Sequence, residues 1–163
     1  MGILVVNMTT RRHTPAGAGL TGLILEIFRV NGRLLAAGDR LVAGLGLTSG
    51  RWQVLGAVAL APAAEPVARL ARNMGLTRQG VQRIVNALRR HGLIELKPNP
   101  HHRRAKLVTL TGKGRKAYDA AIALQVPWAN ALACGLTPRQ IAAATRLIET
   151  LRRRLEPAEP AKR

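Results

Sequence analysis

One stretch of the sequence is rich in side chains that can hydrogen-bond to nucleic-acid bases. Between Thr77 and His91, polar residues follow the helical spacing i, i+3, i+4, i+7 and i+11, and they are Gln79, Gln82, Arg83, Asn86 and Arg90. Arg, Gln and Asn form paired hydrogen bonds with the edges of guanine and adenine in the major groove. The stretch holds no Asp or Glu, whereas an ordinary solvated helix face mixes both charge signs. We therefore interpret it as a base-reading face.

A second basic cluster follows at the tip of a predicted β-hairpin. Residues 94–97 and 106–110 have strand-like spacing, and the connection between them carries His101, His102, Arg103 and Arg104. An arginine at such a tip can enter a minor groove, where narrow walls concentrate negative potential. Neighbouring residues of an extended chain point to opposite faces, and no acid lies near, so His101 and His102 do not predict a metal site. The alternative is a flexible surface turn.

The charge distribution points to the same region. The chain has 163 residues and a formal net charge of +18, and residues 66–116 hold 13 of the 26 Lys and Arg but only Glu95 of the eight acids. Such an excess indicates a polyanionic partner. The four aromatic residues lie outside this segment, and single-stranded nucleic acid is usually bound by aromatic stacking, so the pattern favours double-stranded DNA.

Composition excludes several other classes. A hydrophobic content of 47% is too high for a disordered basic tail, and no apolar run approaches the roughly 18 residues of a membrane span. With no secretion signal, we expect a cytoplasmic protein and no membrane partner. A single cysteine, Cys134, excludes an internal disulfide, and we expect its thiol to be buried. The acids are scattered singly, so we expect neither an enzyme nor a cofactor.

The elements that must position these residues are mostly helices. The dipeptide Leu-Thr recurs at residues 47–48, 76–77, 110–111 and 136–137, and each Thr can cap a helix. Helices are predicted over 48–61, 66–74, 77–91, 112–132 and 137–155, after a long apolar pattern between Leu20 and Leu45 that Asn31, Gly32 and Gly38 could kink. The predicted fold is mainly α with a small β-hairpin wing.

Helix, glycine turn, helix and basic hairpin form the order of a winged helix-turn-helix. The sequence resembles the MarR family of bacterial transcriptional regulators over about residues 20–155. The matching stretches are Leu47–Leu55 (LTSGRWQVL), Leu70–Leu93 around the helix-turn-helix, and Arg103–Thr111 (RRAKLVTLT). The family usually has a carboxylate two residues before the wing arginine, and this chain has His102 there.

The resemblance implies an intertwined helical homodimer acting on a pseudo-palindromic operator, and the most direct expectation is a repressor released by a small aromatic or antibiotic-like effector. The implied segments are a flexible 1–16, a dimerisation helix over 17–46, a DNA-binding lobe over 47–111, dimerisation helices over 112–155 and a flexible tail over 156–163. Base or groove contacts are expected from Arg78, Gln79, Gln82, Arg83, Asn86 and Arg104. Phosphate contacts are expected from Thr48, Arg72, Thr77, Arg89 and Arg103. The dimer interface is expected at Leu20, Ile24, Ile27, Ile141, Ile148, Leu151 and Leu155.

Two alternatives to sequence-specific regulation remain open at this point. The charge of +18 also suits a sequence-neutral architectural DNA-binding protein, and less well a structural RNA-binding protein. Residues 17–22 (GAGLTG) match the spacing of a dinucleotide-binding fingerprint. That fingerprint requires a preceding strand, but residues 9–15 are polar and the following pattern is helical, so we expect no nucleotide cofactor.

Overall fold

The computed structural model describes residues 13–100, 102 and 104–156. These residues form a mainly helical fold with a small antiparallel sheet, as the sequence predicts. The helices are α1 (Pro15–Val42), α2 (Ser49–Leu60), α3 (Val67–Asn73), α4 (Arg78–Arg90), α5 (Gly112–Leu132) and α6 (Pro138–Leu155), with a 3₁₀ turn at Ala43–Leu45. The strands are β1 (Glu65–Pro66), β2 (Ile94–Lys97) and β3 (Leu107–Leu110).

Threonine caps set the start of α2, α4, α5 and α6, as the Leu-Thr dipeptides predict. The hydroxyl oxygens of Thr48, Thr77 and Thr111 accept hydrogen bonds from backbone N–H groups three residues ahead, at 3.3, 3.1 and 3.0 Å. Thr137 forms a full capping box with Gln140. Each cap satisfies an amide that the first helical turn would otherwise leave unpaired.

Two glycines stop the helices of the helix-turn-helix where the sequence predicts. Gly75 follows α3 with a φ of 65°, and Gly92 follows α4 with a φ of 70°. A residue with a Cβ is strained in this left-handed conformation, whereas glycine adopts it freely. The short turn from Gly75 to Thr77 leads directly into α4.

The sheet joins the hairpin to the start of α3. β3 is the central strand and pairs antiparallel with β2, from Ile94 opposite Leu110 to Lys97 opposite Leu107. On its other edge β3 pairs with β1, where Glu65 lies opposite Val108. β1 was not predicted, because two residues are too few to show an alternating pattern. The wing is thereby fixed to the helix-turn-helix from both sides.

The core lies beneath α4. Val81, Val85 and Leu88 are completely buried, as the i, i+4, i+7 spacing predicts, and Ile84 is half-buried. They belong to the same buried set as Val54 and Leu55 of α2, Leu70 of α3, and Ile94 and Val108 of the sheet. A helix anchored along one full face presents its opposite face in a fixed orientation.

Two expectations, on the flexible N-terminal segment and on Cys134, need correction. The predicted flexible segment over 1–16 extends too far: Thr14 caps α1 and Pro15 takes the first helical position, where its fixed φ suits a helix. Residues 1–12 lie outside the described residues, as do 157–163 of the predicted tail. α1 is one helix from Pro15 to Val42, with no break at Gly32 or Gly38. Cys134 is exposed, because it follows the end of α5 in the turn before α6.

The chain divides into two compact units, residues 1–121 and 122–163. The finer division at residues 46/47 and 111/112 remains a prediction. In the described part of the second unit, α6 has no buried residue, and its apolar side chains are exposed or half-exposed. In the described residues, no helix combines the length and apolar character needed to cross a membrane.

Candidate nucleic-acid interface

The outward face of α4 carries the predicted base-reading residues. Gln79, Arg83, Asn86 and Arg90 are exposed, and Gln82 is half-buried on the flank of the same face. The opposite face is in the core, so this helix cannot rotate without exposing completely buried apolar side chains. Arg83 and Asn86 are therefore held pointing to solvent, as the sequence interpretation requires.

A groove between α4 and the wing brings together residues that are distant in the sequence. Its volume is about 210 Å³, and one wall carries Arg78 and Gln82 while the other carries Arg104 and Lys106. The floor is formed by Pro66, Val67, Ala68, Leu96 and Ala105. Among the described residues, three cations and no acid line this groove, so its potential favours an anion. Arg78, Gln82 and Arg104 were predicted from the sequence as DNA contacts, whereas Lys106 was not.

The acid of the wing strands is turned away from the groove. Leu96 lines the groove, and strand alternation puts its neighbour Glu95 on the opposite face of the sheet. There the Glu95 carboxylate accepts a hydrogen bond from the Thr109 hydroxyl at 3.3 Å and pairs with the Lys97 ammonium at 3.0 Å. The hydrogen bond and charge of Lys97 lower the pKa of Glu95, so this acid stays ionised without opposing an anion in the groove.

Two backbone hydrogen bonds join described residues at the tip of the wing. The backbone N–H of His102 donates to the Asn99 carbonyl at 3.2 Å, and that of Ala105 donates to the His102 carbonyl at 3.0 Å. Arg104 lines the groove. Arg103 and His101 lie outside the described residues, so the predicted phosphate contact of Arg103 stays a prediction.

The other predicted phosphate-binding residues lie at helix ends. Thr48 and Thr77 cap α2 and α4, and both are exposed. Arg72 and Arg89 are exposed in the last turns of α3 and α4. The hydroxyl oxygen of each threonine accepts a backbone hydrogen bond, which leaves its O–H free to donate to a phosphate oxygen.

A buried carboxylate that was not predicted from the sequence fixes the helix-turn-helix to β1. The Glu65 side chain is only 9% exposed. Its carboxylate pairs with Nε of Arg69 at 3.0 Å and accepts a hydrogen bond from the Asn73 amide at 2.9 Å. Arg69 and Asn73 follow Glu65 by four and eight residues. This spacing would have predicted the contact if residues 65–73 had been recognised as a strand followed directly by a helix. This acid neutralises a cation beside the interface and orients α3.

The residues predicted for the dimer interface are apolar and incompletely buried in the single chain. Leu20 and Ile27 of α1 and Leu151 of α6 are half-buried, and the more exposed members are Ile24 (39%), Ile141 (44%), Ile148 (49%) and Leu155 (82%). α1 also exposes Phe28 by 69%, a large aromatic ring that the prediction did not include. Exposed apolar residues of this kind are compatible with an interaction surface, and their assignment to a dimer interface stays a prediction.

Comparisons with known proteins agree with the geometry. The family model described as MarR family matches residues 45–105, which contain α2, the helix-turn-helix and most of the wing. The uncharacterized protein Rv2011c of Mycobacterium tuberculosis is 38% identical over 121 residues, covering 74% of this chain and 83% of that protein. The transcriptional activatory protein BadR of Rhodopseudomonas palustris is 31% identical over 99 residues, covering 60% of this chain and 57% of BadR.

A solved structure has the same fold. A mutant of MarR from E. coli, in which one cysteine is replaced by serine and which was crystallised with operator DNA, superimposes with a TM-score of 0.73 at 22% identity. The superposition covers 82% of this chain and 95% of that one. The resemblance in sequence, the winged helix-turn-helix and the acid-free face of α4 therefore lead to one conclusion. The chain belongs to the MarR family of transcription regulators.

Proposed function

We propose that this protein is a homodimeric repressor that binds a pseudo-palindromic operator in double-stranded DNA and is released by a small ligand. The observation that supports the proposal best is the acid-free outward face of α4 beside a groove lined by Arg78, Arg104 and Lys106. An exposed helix of this kind fits the width of a major groove, and the wing then reaches toward the adjacent minor groove.

The residues divide into two roles in this proposal. Arg78, Gln79, Gln82 and Arg83 read base edges or the adjacent backbone, Asn86 lies beside them on the same groove-facing surface, and Arg104 probes the minor groove. Thr48, Arg72, Thr77 and Arg89, with Arg103 of the wing, bind phosphates and so fix the register of the protein on the duplex. Base contacts alone carry sequence preference, and phosphate contacts add affinity for any duplex.

The apolar stripes of α1 and α6 support the proposed dimer. Phe28 and Ile24 on α1 and Ile148 and Leu155 on α6 are too exposed for a stable water-facing surface in a monomer. Pairing two copies covers these residues and doubles the base contacts. A twofold axis then repeats the half-site after about one helical turn, or roughly 10–10.5 base pairs.

An open depression in the surface of the DNA-binding lobe offers a place for an effector. It has a volume of about 380 Å³ and lies between the end of α2, β3 and the start of α5. Val58, Ala61 and Val108 give it apolar walls, while Thr111 and Arg115 give it a polar side. This size and mixed lining suit a small aromatic acid, whose carboxylate the Arg115 guanidinium would pair with.

Repression is the sign of regulation that we propose, because a dimer covering two adjacent half-sites excludes other proteins from that DNA. BadR, the similar regulator from Rhodopseudomonas palustris, is named as an activatory protein. A reporter placed behind the selected operator separates the two signs: loss of this protein raises expression from a repressed promoter and lowers it from an activated one.

Selection from random duplexes tests the proposal. The full-length protein should enrich one motif with twofold symmetry, and phenolic or antibiotic-like compounds should release the enriched duplex. Salt-sensitive binding without an enriched motif would instead identify a sequence-neutral architectural protein, whose binding to any duplex the net charge of +18 would drive. Preference for structured RNA over duplex DNA at matched salt would identify an RNA-binding protein.

A further inference from the structure

Two amide side chains on the outward face of α4 are joined by a hydrogen bond. Nε2 of Gln82 donates to Oδ1 of Asn86, one helical turn further on, at 3.0 Å. Gln82 is half-buried where it lines the groove, and Asn86 is exposed beside it. The bond therefore lies at the border between the groove and the surface proposed to enter the major groove.

Among the described residues, no other side chain that lines the groove offers Gln82 a hydrogen-bond acceptor. A guanidinium or ammonium only donates hydrogen bonds, and an apolar side chain does neither. Among the described residues, the other side chains lining the groove are of these types: Pro66, Val67, Ala68, Arg78, Leu96, Arg104, Ala105 and Lys106. The acceptor oxygen of Asn86 therefore determines which way the Gln82 amide is oriented, with Nε2 toward Asn86 and Oε1 away from it.

The bond decides which chemistry Gln82 presents to DNA. A primary amide has two N–H donors and one carbonyl acceptor, and Asn86 engages one donor. The second N–H and the Oε1 acceptor then remain available to DNA. Adenine presents N7 as an acceptor next to the N6 amino donor, which matches this pair, whereas guanine presents two acceptors.

We propose that Asn86 is a positioning residue that fixes the Gln82 amide so that Gln82 selects an adenine in the operator. This inference rests on the proposed function, since it requires α4 to lie in the major groove. Without the Asn86 oxygen, the Gln82 amide turns about its last torsion and presents its donor and acceptor in either order. Adenine then loses its advantage at that position, while the remaining base pairs are read as before.

The test begins with the motif selected by the full-length protein. The base pair whose preference disappears in Gln82→Ala identifies the position that Gln82 reads. We expect adenine there, favoured over other bases by about 5- to 150-fold in Kd. Asn86→Ala should reduce this ratio to less than about threefold and leave the other positions of the motif unchanged. Replacing that adenine by 7-deazaadenine, which lacks N7, should weaken the wild type but have almost no effect on Asn86→Ala.

Two variants separate positioning from other effects. Asn86→Asp keeps the acceptor oxygen, so it should retain the adenine preference while its negative charge weakens binding to every duplex. Arg90→Ala changes a neighbouring residue of the same outward face and should lower affinity for all duplexes alike. Unfolding midpoints within a few degrees of the wild type confirm that each variant is folded.

Three results would overturn the inference. If Asn86→Ala keeps the full preference at the Gln82 position, Gln82 needs no positioning. If Gln82→Ala and Asn86→Ala have additive effects at two different base pairs, Asn86 reads a base of its own. A wild-type protein that selects no motif overturns the proposed function together with this inference, whereas the first two results leave the proposed function intact.

Discussion

Gly114→Ala tests how the wing is attached to the rest of its unit. Gly114 lies in the first turn of α5, where a Cβ added to it would be 1.9 Å from the carbonyl oxygen of Leu93. Leu93 immediately precedes β2, the first strand of the wing. Real Cβ atoms essentially never come within 3.0 Å of another heavy atom of this kind, so α5 and the start of the wing must separate by about 1 Å.

That separation disturbs the hydrogen bonds between α5 and the α4–β2 turn. The backbone N–H of Thr111 donates to the Leu93 carbonyl at 3.1 Å, and its hydroxyl donates to the Gly92 carbonyl at 2.7 Å. Losing both costs about 1–3 kcal/mol, and overpacking adds about 1–3 kcal/mol. The better helix propensity of alanine returns at most about 1 kcal/mol. We expect Gly114→Ala to lower the free energy of unfolding by about 2–4 kcal/mol.

The matched control is Gly112→Ala, two residues earlier in the same helix, where an added Cβ meets no atom within 4 Å. Urea unfolding followed by circular dichroism gives both free energies, and Gly114→Ala should melt roughly 5–15 °C below the control. Its affinity for the selected duplex should also fall, since the wing shifts relative to α4. Equal stability of the two variants would refute the proposed contact between α5 and Leu93.

Further predictions concern charged residues of the DNA-binding lobe. Arg83→Ala should relax the base preference at one base pair by about 1–3 kcal/mol, which selection from random duplexes measures. Equal losses of affinity on selected and random duplexes would identify Arg83 as a phosphate contact. Arg89→Ala should instead weaken binding to all duplexes and reduce the slope of log K against log salt by about one in a salt titration. Glu65→Ala should lower the free energy of unfolding by about 0.5–1.5 kcal/mol, because it removes the ion pair with Arg69 and the hydrogen bond from Asn73, whose exposed side chains water can then solvate; a variant as stable as the wild type in urea would contradict this. Because the pKa of Glu95 is lowered in the folded protein, its contribution to stability is present above the ordinary carboxyl pKa and is lost as the pH falls through the pKa of the folded state. In Lys97→Met, the titration midpoint of the Glu95 carboxyl measured by NMR should move to higher pH. An unchanged midpoint would exclude Lys97 as the cause of the shift.

Much of the fold could be predicted because it depends on local signals. Thr77 and Gly92 delimit α4 through a cap and a left-handed stop, both of which are encoded within a few residues. The buried face of α4 follows from its spacing of apolar residues, and the outward face follows by exclusion. The family resemblance then supplied how the elements are arranged in space, which local signals alone leave open.

The contacts that escaped prediction depend on residues brought together by the sheet. Pairing of Glu65 with Val108 places β1 beside β3, although the two strands are separated by α3, α4 and β2. Lys106 immediately precedes β3, and the pairing of Leu107 with Lys97 of β2 brings Lys106 to the groove. Cys134 was wrongly expected in the core. The sequence shows that Cys134 lies near the end of α5, but not whether it belongs to the helix or to the exposed turn that follows.

The central claim is that α4 reads base sequence rather than charge alone. The most direct measurement is an equilibrium competition between the selected duplex and a scrambled duplex of the same length and composition, at about 0.15 M salt. We predict that the full-length protein binds the selected duplex at least about 1,000-fold more tightly. A ratio near one, with the same salt dependence for both duplexes, would contradict the claim.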